Sequence, residues 1–322
     1  MKKISVIVLN FNGKVFLEDC LNSLREQTYK DFEVILVDNG STDGSVEYVK
    51  NRFPEVKILA LEKNVGFAKG NNEGIKISQG EYVALLNNDT KTDRFWLEEL
   101  HKALANNPQV GFCASKMIFY NDQEKIEAAG DGYFLCGAPF KRGSFESISK
   151  YNKEEEVFGA CAGAAIYRKT MLNAVGLLDE DFFFGFEDSD LGFRAQLKGY
   201  KCFYIPKAIV FHRVSATIGK LSSRQVYYGQ RNVEYVYIKN MPTPLIFRYF
   251  FSHLIYNIGA LIFFLLKGKG LVFLRAKFSV LRNLRTLLRK RKAIQKSRTV
   301  DMVYLKKIME KRCFAVRIKG KF

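Results

Sequence analysis

Apolar residues come in short uncharged or nearly uncharged blocks along the first part of the chain. Residues 4–9 are apolar except for Ser5, and the blocks at 33–37, 56–61 and 82–86 repeat the pattern, each running into a polar loop. Blocks of that length without period-two alternation predict strands buried on both faces. Between them, Phe16, Cys20, Leu21 and Leu24 recur at helical spacing, as do Val46, Val49 and Phe53 ahead of Pro54. Residues 64–80 read as a glycine-punctuated helix. Strand and helix therefore alternate at the lengths expected of a mostly parallel sheet with right-handed crossovers.

The strand at 82–86 organises the rest, because Asn87, Asn88 and Asp89 follow at its carboxyl end. Ligands of open α/β sheets bind at that edge, so Asp89 is a candidate ligand for a divalent cation or its phosphates, with a helix-capping turn as the alternative. Loops 10–13 and 38–44 share the edge. Asp38 suits a ribose hydroxyl or base edge, against an Asx-turn before Gly40. Neither a dinucleotide glycine fingerprint nor a phosphate-loop lysine motif is present.

Further on, residues 94–106 predict a helix, 110–120 a strand, and the Gly- and aromatic-rich stretch 130–145 hairpins. The small residues at 159–165 either let backbones approach or leave room for a sugar ring. Four Phe within 182–186 precede Glu187, Asp188 and Asp190, at the start of a helix carrying Leu191, Phe193, Ala195 and Leu197. The helix dipole tolerates carboxylates there while their mutual repulsion raises them, which can make one of them a base near neutral pH. First-turn acids that merely complement the dipole are the alternative. A last strand at 205–211 ends on His212.

Charge is divided unevenly. From Lys267 onward there are 19 Lys and Arg against Asp301 and Glu310, so nearly all of the +18 net charge lies in the C-terminal part. Residues 245–266 are strongly apolar but hold Arg248, His253 and Asn257. The uninterrupted stretch 258–266 is too short for about 30 Å of hydrocarbon. Next, Leu271, Leu274, Phe278, Leu281, Leu284 and Leu288 predict one apolar helix face opposite Arg275, Lys277, Arg282, Arg285 and Arg289. A basic amphipathic helix of this kind predicts an in-plane anchor on an anionic membrane surface, or a homo-oligomer formed through the C-terminal helices. Nucleic acid is not an expected partner, since no module or aromatic interleaving accompanies the charge. The six cysteines form no paired spacing, which predicts a reducing compartment and no disulfide framework. The N-terminus enters a strand directly, so no signal peptide is expected.

Taken in order, six motifs resemble the family 2 inverting glycosyltransferases, most of all the rhamnosyltransferase-like branch of bacterial surface-polysaccharide synthesis. They are SVIVLNFNG at 5–13, VDNGSTDG at 37–44, NVGFA at 64–68, LLNND at 85–89, FEDSDL at 186–191 with Arg194 and His212, and YYGQRN at 227–232. The resemblance spans roughly residues 3–241. It implies the α/β GT-A nucleotide-diphospho-sugar transferase fold, a Rossmann-like mixed sheet flanked by helices, with a C-terminal basic amphipathic helical region. Residues 1–222 would be the catalytic domain, with a nucleotide-binding half at 1–110 and an acceptor and catalytic half at 111–222. Residues 223–322 would be helical and membrane-associating.

By the same resemblance, the nucleoside-diphosphate sugar donor falls to Asn10, Asp38, Asn39, Asn64, Gly66, Asn87 and Asn88. Asp89 and His212 would hold Mg2+ or Mn2+, Asp188 would be the catalytic base, and Glu187, Asp190 and Arg194 would serve the acceptor or support the site. Asn87 stands where a strict D-x-D motif has its first acid, which implies a cation bound mainly with the nucleotide. The expected reaction is metal-dependent inverting transfer of a sugar, with rhamnose a candidate, to a lipid-linked or glycan acceptor. The expected location is cytoplasmic, peripheral at the inner face of the plasma membrane. A non-catalytic carbohydrate or nucleotide scaffold and a nucleotidyltransferase are the competing readings; the latter lacks its glycine- and lysine-rich activation loop.

Overall fold

The computed structural model describes residues 2–214 and 222–311. In chain order the elements of the first half are β1 (Ile4–Asn10), α1 (Lys14–Arg25), β2 (Phe32–Asp38), α2 (Ser45–Arg52), β3 (Lys57–Ala60), α3 (Phe67–Ile77), β4 (Tyr82–Asn87), β5 (Thr90–Thr92), α4 (Trp96–Asn106) and β6 (Val110–Phe119). Then come β7 (Asp122–Ala129), β8 (Asp131–Tyr133), β9 (Pro139–Lys141), β10 (Glu155–Val157), β11 (Ala164–Arg168), α5 (Lys169–Val175), α6 (Glu187–Leu197) and β12 (Lys201–His212). Five helices finish the described chain: α7 (Ser223–Asn240), α8 (Thr243–Leu266), α9 (Gly270–Arg282), α10 (Leu284–Lys296) and α11 (Met302–Ile308).

The main sheet runs β10-β12-β6-β11-β4-β1-β2-β3, with β5 added to β12 and β7 to β6. Strands β1 to β4 pair in parallel, as the uncharged blocks predict. The sheet is mixed because β11 enters antiparallel between β4 and β6. Both faces are covered. Leu17, Leu21, Val49, Trp96 and Leu100 lie with Val6 and Val8 on one side; Ala68, Ile75, Met171 and Leu191 lie with Ile7 and Leu85 on the other. Each fully buried aliphatic side chain contributes about 1.5–3 kcal/mol, so these two layers hold the sheet firm under its loops.

Strand register delivers the loops to one edge. Asn10 lies opposite Asp38, and Leu9 opposite Asn87. Across the sheet, His212 of β12 pairs with Thr90 of β5, which sets the histidine beside Asp89. Helix α3 begins only at Phe67, shorter than its glycine-punctuated pattern suggests, because Gly66 ahead of it has φ +91°.

The C-terminal helices differ from the expected pattern. A 24-residue helix, α8, kinked at Tyr249, replaces the short apolar stretch, and by length and composition alone it could cross a membrane. Of the residues that interrupt it in sequence, His253 and Asn257 lie on its inner face, where His253 donates from Nδ1 to the Cys136 carbonyl oxygen (2.8 Å) beside the buried Tyr256, while Arg248 is exposed. The long basic helix is two helices broken at Asn283. Its leucine and phenylalanine stripe does not pack inward. Leu271, Leu274, Phe278, Leu281 and Leu288 are exposed, while Phe273, Ala276, Val280 and Leu287 are buried. Helix α7 packs into the sheet domain: Tyr133, Phe182 and Phe193 share a core with Tyr235, Val236, Val280 and Leu305. Cys20, Cys113, Cys161 and Cys202 are free. Cys136 is disulfide-bonded, a pairing that spacing does not signal, and Cys313 lies outside the described residues.

Candidate active site

A cleft of about 610 Å³ opens at the carboxyl edge of the sheet. Asn39, Asn64, Gly66, Asn87, Asn88, Asp89, Glu187, Asp188 and His212 all line it. Asn10 and Asp38 lie just beneath and are buried. Asn10 donates to Asp38 Oδ1 (2.9 Å) and accepts from Asn88 (2.6 Å), while the Ser41 amide donates to Asp38 Oδ2 (2.9 Å). Asp38 therefore braces its own loop and, through Asn10, the loop after β4. Asn39 donates to the Gly66 carbonyl (3.2 Å) and accepts from the Val65 amide (2.9 Å), tying the β2 loop to the start of α3. Gly66 has no substitute there: a Cβ would stand 2.6 Å from the Phe183 carbonyl oxygen.

On the opposite wall, Asp188 sits in the first turn of α6. The Ser189 amide donates to its Oδ1 (2.7 Å) and the Ala162 amide to its Oδ2 (3.2 Å). The small residues at 159–165 thus serve to bring backbone close to this carboxylate. Asp190 and Arg194 face away from the cleft. Arg194 donates to Asp190 (2.9 Å) and to the carbonyls of Gly176 (3.0 Å) and Leu177 (2.7 Å), while Lys239 and Asn240 of α7 also donate to Asp190. Burial opposes the Asp190 charge, but Lys239 and Arg194 outweigh it and hold this carboxyl below its ordinary value. The network locks α6, and with it Asp188, in place.

The segment that shapes this wall is strained. Phe183 and Phe186 adopt φ +64° and +68°, in the left-handed region that bulky residues avoid. Asn232 holds them there by donating to the carbonyls of Phe182 (3.0 Å), Phe184 (3.0 Å) and Gly185 (2.7 Å), and Arg231 donates to Asp181 and Phe182. The end of the YYGQRN motif is thus a clamp on the FEDSDL wall.

Beside Asp89, His212 is gripped from both sides. Its Nε2 lies 3.1 Å from Asp89 Oδ1 and its Nδ1 2.7 Å from Glu127 Oε2, while Lys141 pairs with the other Glu127 oxygen. Burial disfavours the imidazolium, yet Glu127 and Asp89 prevail and push its pKa up to about 9. Burial likewise opposes the Glu127 charge, but Lys141 and His212 bring it down to about 2.

Glu127, Asp131 and Lys141 escape sequence reading because their segment carries no recognisable motif. A signal does exist: Glu127 and Asp131 lie among Ile126, Ala128, Ala129 and glycines, and charges in so apolar a setting need partners. Asp131 Oδ1 and Glu187 Oε2 are buried without a hydrogen-bond partner, and both residues line the cleft. Burial first, and then the Asp188 charge, raise both carboxyls well above their ordinary values. Their unpaired oxygens are unmet polar groups at the cleft.

Comparison with known proteins bears on what such a cleft belongs to. The model of the family described as glycosyl transferase family 2 matches residues 5–176, more than half of the chain. Over 178 residues the chain is 31% identical to the cholesterol galactosyltransferase of Borreliella burgdorferi, an alignment covering 53% of this chain and 49% of that protein. It is 26% identical over 238 residues to the N-acetylglucosaminyl-diphospho-decaprenol L-rhamnosyltransferase of Mycobacterium tuberculosis, covering 67% and 77% respectively. The chain spans well under two thirds of the length of the first curated relatives it matches. In fold it is similar to the crystal structure of GalNAc-T7 with UDP, GalNAc and Mn2+, with a TM-score of 0.59 over 81% of this chain and 58% of that one at 17% identity. With the family model spanning β1 to α5 and the mixed sheet that carries the cleft, this chain belongs to the family 2 glycosyltransferases and has their GT-A fold.

Proposed function

We propose that this chain is a metal-dependent, inverting glycosyltransferase. It moves a sugar from a nucleoside-diphosphate donor to a hydroxyl of a lipid-linked or polysaccharide acceptor at the cytoplasmic face of the membrane. One observation carries the reading: Asp188 and the Asp89–His212 pair line a single cleft.

The loops of Asn10, Asp38, Asn39 and Asn64 form the nucleoside end, and the Asp89 side receives the diphosphate. Once its Nε2 proton is displaced, His212 would join Asp89 Oδ1 as two neighbouring protein donors for a divalent cation, since Glu127 anchors the far side of the ring. Among the described residues no cluster of three His, Cys, Asp or Glu is suited to a metal, so the remaining oxygens would come from diphosphate and water. The Mn2+ bound with UDP in GalNAc-T7 supports this choice of cofactor. When bound, such a cation neutralises the departing diphosphate.

Asp188, held by two backbone amides, accepts the proton of the acceptor hydroxyl as that oxygen bonds to the anomeric carbon. The bond from that carbon to the diphosphate oxygen breaks, and the diphosphate leaves with the electron pair. One displacement inverts the anomeric centre. Asp131 and Glu187, whose unpartnered oxygens line the cleft, are placed to hydrogen-bond sugar hydroxyls. Rhamnose is the first sugar to test, in view of the similarity to the mycobacterial rhamnosyltransferase. Residues 1–222, with helix α7 closing the cleft, form the catalytic part, and helices α8 and α9 the membrane-associating part.

A thermal-shift panel of nucleotide sugars, with and without Mn2+, tests the proposal. Stabilisation by one nucleoside diphosphate, dependent on Mn2+, is expected. Ligand at about 100 times its Kd adds about 2.7 kcal/mol of stability. No response to any donor, or equal responses without metal, would contradict it.

A further inference from the structure

Helix α8 is amphipathic in the reverse sense. Its polar His253 and Asn257 and its Tyr256 face the protein, while Phe247, Phe250, Phe251, Leu254, Ile258 and Ile262 are exposed. It is also fixed along its length. Leu245 is buried in the core shared with α7, His253 is bonded to Cys136, and Phe264 packs on Val226 and Phe273. Leu245 lies before a kink at Tyr249; beyond it His253 and Phe264 are 11 residues apart, so about 16 Å of helix, roughly half the hydrocarbon thickness of about 30 Å, is held against the protein. A helix tied to a polar domain over that distance cannot cross a bilayer without submerging the domain. It can lie flat.

The exposed face continues onto α9, where a groove of about 440 Å³ is lined by Leu271, Leu274 and Phe278 together with Tyr227, Arg275 and Arg282. Between Glu234 and Asp301 the sequence has no acidic residue. Lys277 and Lys290 are engaged by Glu234, Asp179 and Asp181, whereas Arg275 and Arg282 are exposed at the groove. A second copy seated here would oppose cation to cation; an anionic surface complements both the charge and the apolar floor.

We infer that α8 and α9 form an in-plane docking face for an anionic phospholipid leaflet, with the Arg275–Arg282 groove receiving a lipid phosphate. The inference deepens the membrane-face reading above and rests on it. It also places the cleft next to the leaflet, because Arg224, Gln225 and Gly229 of α7 line the cleft while Tyr227 lines the groove.

The test is co-flotation of the full chain with vesicles of phosphatidylcholine alone or mixed with phosphatidylglycerol. Flotation with the mixed vesicles only, weakened by salt, is expected. Each cation at such a surface is worth about a factor of five, so Arg275→Gln with Arg282→Gln should weaken partitioning roughly 25-fold. Phe251→Glu should weaken it as well. Fluorescence of the single Trp96, buried in the core, reports that each variant is folded. Equal flotation on both vesicle types, resistance to alkaline extraction, or a concentration-dependent dimer that hides this face would overturn the inference. Asp188→Asn protein should float like the unaltered chain. Flotation without any donor binding would sink the transferase reading alone, and donor binding without flotation this inference alone.

Discussion

Asp89 Oδ1 and His212 Nε2 stand 3.1 Å apart although 123 positions separate them in the chain. Two strand pairings bring them together, β5 on β12 and β12 on β6, and Glu127 of β7 then fixes the histidine from behind. Glu127→Gln keeps the shape but removes the charge. Loss of such outer support typically costs 10–100-fold in metal affinity. The Mn2+ dependence of nucleoside-diphosphate binding, followed by titration calorimetry, should weaken by that factor while metal-free binding changes little. Unchanged Mn2+ dependence would detach Glu127 from the site.

Asn232 makes a second prediction. Its amide donates to three carbonyls of the segment that forces Phe183 and Phe186 into left-handed backbone. Asn232→Ala removes the side-chain donor from the Phe184 and Gly185 carbonyls, while Phe182 keeps Arg231 and the Phe184 amide, at a cost of about 1–3 kcal/mol. Asn232→Asp has the right size but no donor, so it should fail in the same way. Chemical denaturation checks the stability, and donor turnover should fall further than the stability loss explains, because Asp188 follows the same segment.

Acid stability supplies a third. Glu234 binds His253 (3.0 Å) and Lys277 (2.6 Å), joining α7 to α8 and α9. Burial opposes its charge, but these two partners bring its pKa down from 4.5 to about 2. Burial also lowers Lys277 in spite of the pair, so the glutamate, with two partners, is the better guide to its strength. A depressed carboxyl stabilises the fold above its unfolded value and loses that contribution as pH falls from about 4.5 to about 2. The shift corresponds to about 3 kcal/mol at neutral pH. Glu234→Gln should be less stable than the unaltered chain at pH 7, by calorimetry, and the gap should close below pH 4. A gap constant with pH would contradict this.

Much of the scaffold is legible in sequence because burial on both faces leaves a direct mark: the blocks around Ile7, Ile35 and Leu85 become adjacent parallel strands. Asp89 and Asp188 stand out since each follows an apolar run into a loop or helix start. Glu127, Asp131 and Lys141 do not, because their position depends on hairpins whose pairing no local pattern specifies. The C-terminal helices mislead for a different reason. Helical spacing shows which residues share a face, but it does not say whether that face turns inward, and on α8 the polar His253 and Asn257 turn in while Phe250 and Phe251 turn out. The disulfide at Cys136 is equally invisible to spacing.

The most direct test of the account is Asp188→Asn, measured for sugar transfer and for donor binding in parallel. Asparagine fits the same pocket but cannot take the acceptor proton. General-base loss should lower turnover by about 10²–10⁴-fold, with donor and Mn2+ binding retained. Near-normal transfer by this variant would contradict the assignment of Asp188 and, with it, the proposed mechanism.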